Sequence, residues 1–325
     1  MLQMLEIAGA IFAALLAAAG GLAHAQSYPG KPIRIVVPNA PGGGSDSAAR
    51  AVANRLAPVL GQQILVENRP GAGGRLAAEF VAKATPDGYT LLLGTGATLI
   101  MAKALYRKLH YDPLTSFAPI SLIGTTAYLL VTHPSVPAAT VRQLITVAKS
   151  SRDHLSYAST GSGSPSHLAA ELFGSLAGIT LVHVPYKGSA PGTLSVMQGE
   201  TDMMFSNLVA ALPHIGSGRL RSLGVTSARR SVMVPNIPTI AESGLPGFEV
   251  VQYYSVVAPA GTPATIVSRL NKEIARQMPA PEVRKVLQAQ GTEVAVSTAD
   301  DLSRLIAAEI EKWAAVIRNA GIKPD

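Results

Sequence analysis

Residues 33–46 read Ile33-Arg34-Ile35-Val36-Val37-Pro38-Asn39-Ala40-Pro41-Gly42-Gly43-Gly44-Ser45-Asp46. The apolar, β-branched beginning of this stretch predicts a buried strand. Prolines and glycines end the strand, and a helical pattern begins at Ser45 or Asp46, either of which suits a helix N-cap. Glycines let the backbone approach a ligand closely, and the first turn of a helix offers unpaired N–H groups to an anion. The stretch therefore predicts an α/β unit that binds an anion at its strand–helix turn.

Residues 1–25 have the features of a secretory signal. Ile7 to Leu16 forms a short apolar core, and Ala23-His24-Ala25 fits the small-x-small cleavage rule, which predicts a periplasmic mature protein that begins at Gln26. The segment carries Glu6 and lacks Lys and Arg, so an uncleaved membrane anchor is the alternative. The apolar run is shorter than the ~20 residues that a membrane span needs, which favours the cleaved signal.

The charge pattern excludes several classes of protein. The chain carries 27 Lys and Arg against 20 Asp and Glu, a formal net charge of +7 at pH 7. The basic residues are scattered, without the runs or interleaved aromatic residues that nucleic-acid-binding proteins use, so no nucleic acid is expected as a partner. The absence of Cys excludes disulfides and thiolate metal sites.

The usual catalytic motifs are missing from the sequence. It contains no G-x-S-x-G elbow, no H-E-x-x-H and no phosphate-binding G-x-x-x-x-G-K-[ST]. Gly42-x-Gly44 with Glu67 approaches a dinucleotide site, but Ser47 replaces the third glycine and the prolines lengthen the turn. The sequence therefore predicts no enzyme, no cofactor and no metal site. The rival from another class is a secreted α/β hydrolase that uses Ser162 or His167.

Strand and helix patterns alternate between residues 31 and 226, which favours an α/β architecture with mostly parallel sheets. Separate strands are predicted at 118–123 and 127–132, and a long strand-like run follows at 248–258. Near the C-terminus, Thr298 is expected to cap an amphipathic helix that continues to about residue 320.

The chain has no internal repeat and no low-complexity linker, so its two domains must be intertwined rather than joined in series. Crossings near 124–127 and 247–250 would divide it into a first lobe, residues 26–125 plus 249–325, and a second lobe, residues 126–248. Such a pair leaves a ligand cleft between the lobes, where ligands bind at the carboxyl ends of the strands.

Four strand ends lead through Gly/Ser/Thr-rich turns into helices. They are Gly42–Asp46, Gly94–Thr98, Ser159–Ser164 and Tyr186–Ser189. Each supplies backbone donors and hydroxyls at the positive end of a helix, which is the chemistry that binds a carboxylate. One such turn is an ordinary helix start, but four on the same side of two sheets favour a binding site.

The chain resembles, over its whole mature length, the Bug family of periplasmic solute receptors of tripartite tricarboxylate transporters. The matching stretches are Tyr28–Arg34, Ala40–Asp46, Val66–Gly74, Pro86–Leu92, Tyr111–Pro113, His183–Gly188 and Ala258–Pro263. The resemblance implies a two-lobed periplasmic binding protein of the type II, Venus-flytrap kind with two interdomain crossings and no catalytic activity. It also implies a monomer that captures a small organic acid and delivers it to the membrane subunits of such a transporter. A ligand-sensing receptor for a membrane signalling protein is the alternative.

The resemblance further implies which residues hold the ligand carboxylate. The first lobe would contribute Gly43, Gly44, Ser45 and Asp46, with Thr95 nearby, and the second Ser159, Gly161, Ser162, Gly163, His167 and Tyr186, with Asp202 and Ser206 at the edge. Taken without the resemblance, Asp202 is as well explained as a structural hydrogen-bond acceptor, and His167 as a packed histidine.

The sequence departs from the family pattern in three places. Asn39 stands where an aromatic residue is usual, Ala102-Lys103 replaces Asn-Pro, and Tyr254-Ser255 replaces a tryptophan-glycine motif. These departures predict a more polar and differently shaped pocket than that of relatives.

Overall fold

A computed structural model describes residues 28–151, 154–319 and 321–322, so the predicted signal at residues 1–25 lies outside the described residues. The strands are β1 (Ile33–Val37), β2 (Ile64–Asn68), β3 (Thr90–Thr95), β4 (Phe117–Thr132), β5 (Ser156–Ser159), β6 (Val182–Pro185), β7 (Met203–Asn207), β8 (Arg221–Val225), β9 (Val251–Pro259) and β10 (Thr292–Val294). The helices are α1 (Gly44–Leu60), α2 (Arg75–Ala82), α3 (Ala102–Leu105), α4 (Val141–Ser150), α5 (Pro165–Ala177), α6 (Ser189–Gln198), α7 (Leu208–Gly216), α8 (Ala264–Gln277), α9 (Pro281–Gln288) and α10 (Ala299–Asn319). A 3₁₀ turn at Ala72–Gly74 and a π turn at Ala97–Met101 precede α2 and α3.

Strand β1 is the buried strand that the opening stretch predicts. It pairs in parallel with β2 on one side and β3 on the other, and Ile33, Ile35 and Val37 are fully buried. A parallel sheet is covered on both faces, which is why the strand reads as an apolar run rather than an alternating one. The expected α/β architecture is confirmed.

The strands form one curled, mixed sheet in the order β2-β1-β3-β9-β4-β7-β5-β6, with β8 and β10 also paired to β4. Parallel pairs lie toward its two edges, β2-β1-β3 and β7-β5-β6, whereas β9 and β4 are antiparallel to their neighbours. The prediction of mostly parallel sheets is therefore wrong for the centre. Strand β9 returns between β3 and β4, which reverses the local strand direction.

The strands predicted at 118–123 and 127–132 are one strand, β4. Its residues 117–127 pair with β9, and its residues 128–132 pair with β7. Register shifts near Gly124 let the strand bend while its backbone stays paired. A Cβ at Gly124 would lie 2.7 Å from the carbonyl oxygen of Glu293, so glycine is what lets β10 approach here. We call the pairings on the β9 side the first half-sheet and those on the β7 side the second half-sheet.

Helix α10 packs against both half-sheets. It contacts β4, the π turn and α3, and also α5 of the second half-sheet. Trp313 is buried in the same hydrophobic core as Phe173, Phe205 and Phe248. The predicted cap is present, since the Asp301 amide donates to Thr298 Oγ1 at 3.0 Å. No helix within the described ranges is both long and apolar enough to cross a bilayer.

Candidate functional site

The glycine loop, residues 42–46, connects β1 to α1 at the carboxyl edge of the first half-sheet. The Asp46 carboxylate holds this loop, since it accepts the Gly42 amide at 3.1 Å, the Asn68 side-chain amide at 3.0 Å and Arg50 Nε at 2.9 Å. Burial opposes ionisation of Asp46, but hydrogen bonds from Arg50, Gly42 and Asn68 outweigh it and hold the pKa of the carboxyl below its usual range. Asp46 therefore shapes the loop with a carboxylate that is already satisfied.

Helix α1 begins without a side-chain cap because its N-cap is Gly43. The first intrahelical bond runs from the Ser47 amide to the Gly43 carbonyl at 3.0 Å. The amides of Gly44, Ser45 and Asp46 precede that bond and find no acceptor in the described part of the chain. Unpaired amides at a positive helix end are the donors that a carboxylate needs.

The side chains beside these amides are polar, and they already form hydrogen bonds with other residues. Ser45 Oγ donates to Asn39 Oδ1 at 3.0 Å, so the departure at Asn39 contacts a predicted ligand residue directly. Thr95 ends β3 and closes a reciprocal pair with Thr98, in which each backbone amide donates to the other hydroxyl, at 3.0 and 3.3 Å. Both residues are buried and rigidify the carboxyl edge of the first half-sheet.

Tyr254, the departure on β9, closes this region from the other side. A Cβ at Gly44 would lie 2.5 Å from the Tyr254 hydroxyl oxygen, which is too close for any side chain at position 44 unless the tyrosine moves. Burial raises the pKa of Tyr254. A neutral phenol thus lies against the first turn of α1.

The serine loop, residues 159–164, connects β5 to α5 in the second half-sheet. Its amides are taken up internally: Thr160 donates to Ser166 Oγ, Gly161 to Ser159 Oγ, and Gly163 to His167 Nδ1. Ser164 caps α5 by accepting the His167 amide at 3.3 Å. Ser162 is different, since neither its amide nor its hydroxyl bonds to any residue that the structure describes.

The serine loop reaches the first half-sheet. A Cβ at Gly163 would lie 3.5 Å from Leu105 Cδ1, at the end of α3. Gly163 has φ +72° and Gly161 has φ +127°, both in the left-handed region that favours glycine. The loop thus combines a glycine-dependent backbone with direct packing against the other half of the molecule.

Tyr186 follows β6, and its amide donates to the Ser159 carbonyl at 3.0 Å. It therefore lies beside the serine loop, as expected. Further along, α6 begins at Ser189 after Gly188, again without a side-chain cap. Ser189 Oγ is buried and has no hydrogen-bond partner in the described part of the chain.

Asp202 lies apart from these loops, whereas Ser206 lies toward the carboxyl end of β7. Asp202 precedes β7 and accepts the Ser156 amide and hydroxyl, both at 2.7 Å, at the amino ends of β5 and β7. It therefore braces the sheet edge opposite to the serine loop. Ser206 is fully buried, and its hydroxyl lies 3.3 Å from Thr193 Oγ1 on α6. The hydrogen bonds of Asp202 thus correspond to a structural role, while Ser206 stays a predicted ligand residue.

Tyr128 and Ser189 were not among the ligand residues predicted from the sequence. Tyr128 lies on β4 where the strand passes from one half-sheet to the other, opposite Asn207. Burial raises the pKa of Tyr128, and the nearby Tyr254 phenol adds to this effect. A signal for Tyr128 was available, because it is a polar aromatic residue inside the apolar run of β4. A signal for Ser189 was also available, because it ends the predicted turn Tyr186–Ser189.

Comparisons with known proteins show which family and fold this chain shares. Residues 48–322 match the model of the tripartite tricarboxylate transporter family receptor. Protein BugT of Bordetella pertussis is 36% identical over 324 residues, 99% of each chain. The R. palustris protein Rpa4515, solved with adipate, is 37% identical with a TM-score of 0.76, over 92% of this chain and 100% of that one. MatC of Rhodopseudomonas palustris, solved with bound malate, is 34% identical with a TM-score of 0.71, over 89% of this chain and 100% of that one.

Proposed function

This chain belongs to the family of tripartite tricarboxylate transporter receptors, and we propose that it captures a small organic acid in the periplasm for delivery to the membrane subunits of such a transporter. The observation that carries the proposal is the uncapped N-terminus of α1, where three successive amides have no acceptor among the described residues and lie beside the buried phenol of Tyr254. A carboxylate satisfies those amides and gains from the helix dipole.

The ligand is a small dicarboxylate. Adipate and malate, the acids named with two related structures, both carry two carboxyl groups. The glycine loop takes one carboxylate. The amide and hydroxyl of Ser162 and the hydroxyl of Ser189, which have no partner among the residues that the structure describes, suit the remainder of the molecule. Asn39 and Tyr254 add polar groups beside the first loop, in keeping with a more polar pocket.

The proposal also divides the molecule into the two lobes, residues 26–125 plus 249–325 and residues 126–248. The change of partners along β4 between Ala127 and Tyr128 supports the first boundary. The start of β9 at Val251 supports the second. Ligand binding closes the lobes about these two crossings and excludes water from the carboxylate.

The geometry of His167 favours binding over hydrolysis. A serine hydrolase needs a histidine nitrogen free to take the serine proton. His167 Nδ1 already accepts the Gly163 amide at 2.9 Å, and Nε2 points to Glu171 at 3.7 Å. Nδ1 is therefore occupied, and Nε2 faces Glu171 rather than Ser162. Ser159 does lie 2.6 Å from His183 Nε2, but Ser159 is fully buried.

The proposal is tested by a thermal-shift screen on protein that has been unfolded and refolded to remove any bound acid. The panel contains adipate, malate, other mono-, di- and tricarboxylates, and NAD. An acid present at ~100 times its dissociation constant adds about 2.7 kcal/mol to the free energy of unfolding, which is a readable shift. A shift with dicarboxylates supports the proposal, whereas a shift with NAD alone, or with no compound, contradicts it.

Measurements on the exported protein and on intact cells test the rest of the proposal. The mass of the exported protein is expected to match a chain that begins at Gln26, and light scattering is expected to give a monomer. Deletion of the gene is expected to abolish uptake of the acid found in the screen. Binding without any effect on uptake would instead favour a sensing receptor.

A further inference from the structure

Two histidine rings stack behind the serine loop. His167, in the first turn of α5, and His183, on β6, have ring centroids 3.9 Å apart and an interplanar angle of 6°. Tyr157 on β5 lies beside both rings, with its ring centroid 4.9 Å from that of His183 and 6.2 Å from that of His167. His167 is 6% exposed. Two charged imidazolium rings would repel each other at this separation, so the stack is an arrangement for neutral rings.

Each ring holds one part of the serine loop. His183 Nε2 lies 2.6 Å from Ser159 Oγ, and the same hydroxyl accepts the Gly161 amide at 3.1 Å. His167 Nδ1 accepts the Gly163 amide at 2.9 Å. The loop backbone on either side of Ser162 is therefore fixed through the two histidines.

The bond to Gly163 depends on the protonation state of His167. A neutral imidazole has one nitrogen with a free lone pair, whereas an imidazolium donates from both nitrogens. Protonation of Nδ1 would therefore place two donors against each other and release the Gly163 amide. A Cβ at Gly163 would lie 3.5 Å from Leu105 Cδ1, so this part of the loop lies close to the end of α3.

The groups that face the pair favour neutral rings at pH 7. Burial lowers the pKa of His167, and burial followed by the adjacent His167 lowers the pKa of His183 to about 4. Glu171 on α5 opposes this in part, since its carboxylate lies 3.7 Å from His167 Nε2. That carboxylate also accepts the Tyr157 hydroxyl, and burial together with Glu171 raises the pKa of Tyr157.

We propose that His167 and His183 are positioning residues that hold the serine loop in its ligand-binding shape, and that protonation of His167 weakens carboxylate binding. The proposal rests on the proposed function, because it assigns a pH dependence to the same site. Acid then lowers affinity through the loss of an acceptor in the loop, in addition to any titration of the ligand itself.

The affinity test uses adipate and malate as probes and isothermal titration at several pH values from about 7.5 down to about 4.5, because burial holds the pKa of His167 below its ordinary value. Titration of the ligand carboxyls is the same for every protein compared. His167→Asn is the decisive variant, since its side-chain oxygen can accept the Gly163 amide but does not titrate. His214→Asn, toward the C-terminal end of α7, is the matched control. We expect the acid-induced rise in Kd to be larger in the wild type and in His214→Asn than in His167→Asn, by about threefold or more. An equal rise in all three proteins overturns the proposal.

A second variant tests the proposal independently, in case substitution of His167 impairs folding. His183→Gln keeps a hydrogen-bonding group near Ser159 but removes the ring that covers His167. The better hydrated His167 then titrates closer to its ordinary pKa of about 6.5, so the loss of affinity begins at higher pH than in the wild type. An unchanged pH profile in His183→Gln contradicts the positioning role.

A readout without ligand separates this proposal from the proposed function. In ¹⁵N NMR spectra, the Gly163 amide is expected to titrate together with the His167 imidazole in the wild type, and to lose that titration in His167→Asn. If no acid binds at any pH, the proposed function fails while the NMR titration still shows whether the histidine holds the loop. If Gly163 does not follow His167, the positioning role fails even where adipate binds.

Discussion

The glycine loop and the serine loop are both Gly/Ser-rich turns from a strand into a helix, yet their hydrogen bonds are completed in opposite ways. In the glycine loop, α1 starts at a glycine cap and its first amides have no acceptor in the described structure. In the serine loop, Ser164 caps α5 and the amides on both sides of Ser162 are taken by Ser159 and His167. The comparison teaches that composition alone does not identify a ligand donor. An amide is free only where the fold provides no internal acceptor for it.

The two loops also differ in the side chains that hold their backbones in place. The glycine loop supplies donors, held in place from behind by the Asp46 carboxylate. In the serine loop, His183 contacts Ser159 and His167 accepts the Gly163 amide, so two histidines fix the backbone on either side of Ser162. One loop therefore depends on a carboxylate for its shape and the other on neutral imidazoles, so the two loops should fail under different conditions.

The strongest test of the comparison is Gly44→Val. The new Cβ would lie 2.5 Å from the Tyr254 hydroxyl oxygen, so the first turn of α1 or the tyrosine must move. We expect adipate or malate affinity to fall by about 100-fold, measured by isothermal titration, with the protein still folded by circular dichroism. Gly216→Ala is the matched control, since nothing lies within 4 Å of a Cβ there. Unchanged affinity in Gly44→Val would remove the glycine loop from the site.

The free energy of unfolding should depend on pH differently through His183 in the serine loop and Asp46 in the glycine loop. Unfolded histidine titrates near pH 6.5, whereas the pKa of His183 in the fold is about 4. Between these values the unfolded chain binds more protons, so the free energy of unfolding falls as the pH is lowered from about 6.5 to about 4. The Asp46 contribution persists through this range, because its pKa is lowered in the fold, and it is lost only below about pH 4.

Urea unfolding at several pH values measures these two contributions. His183→Gln is expected to flatten the stability curve between about pH 6.5 and 4, while Asp46→Asn is expected to change the curve chiefly below about pH 4. If His183→Gln leaves the upper part of the curve as steep as in the wild type, the neutral histidine is not what supports the serine loop.

Neighbouring serines in the serine loop should separate ligand binding from stability. Ser164→Ala removes the α5 cap and is expected to cost about 1 kcal/mol of the free energy of unfolding. Ser162→Ala removes a hydroxyl with no bond in the described structure, so it should leave stability unchanged and weaken dicarboxylate binding by about tenfold. The two variants are measured side by side by denaturant melts and titration. A stability loss in Ser162→Ala without any affinity loss would contradict the role given to its hydroxyl.

The smallest effect on affinity is expected for Asp202→Asn. The residue lies at the amino ends of β5 and β7, where it holds Ser156, so dicarboxylate Kd should stay within about twofold of the wild type. Stability should drop by about 1 kcal/mol, because an amide oxygen is a weaker acceptor than a carboxylate. A large loss of affinity would place Asp202 at the ligand after all.

Much of the fold could be predicted from the sequence because it depends on local patterns. The apolar run of β1, the glycine turn, the helix α1 and the Thr298 cap of α10 are each written in neighbouring residues. The joining of 118–123 and 127–132 into β4 could not be predicted. Gly124, Thr125 and Thr126 read as a break, and only pairing with β9 and β10 keeps them extended.

The sequence by itself determined the α/β class, the family, and the loops that are predicted to bind the ligand, because strand ends, glycine turns and helix starts are short-range features. Only the tertiary structure decided which of those donors remain free. The Asp202 side chain lies against Ser156, at the sheet edge opposite the serine loop. His183, which is distant in sequence, contacts Ser159 in that loop. Tyr254 and Gly44 meet although 210 residues separate them. Whether a polar group is available to a ligand depends on every acceptor that the fold brings near it, and those acceptors come from distant parts of the chain.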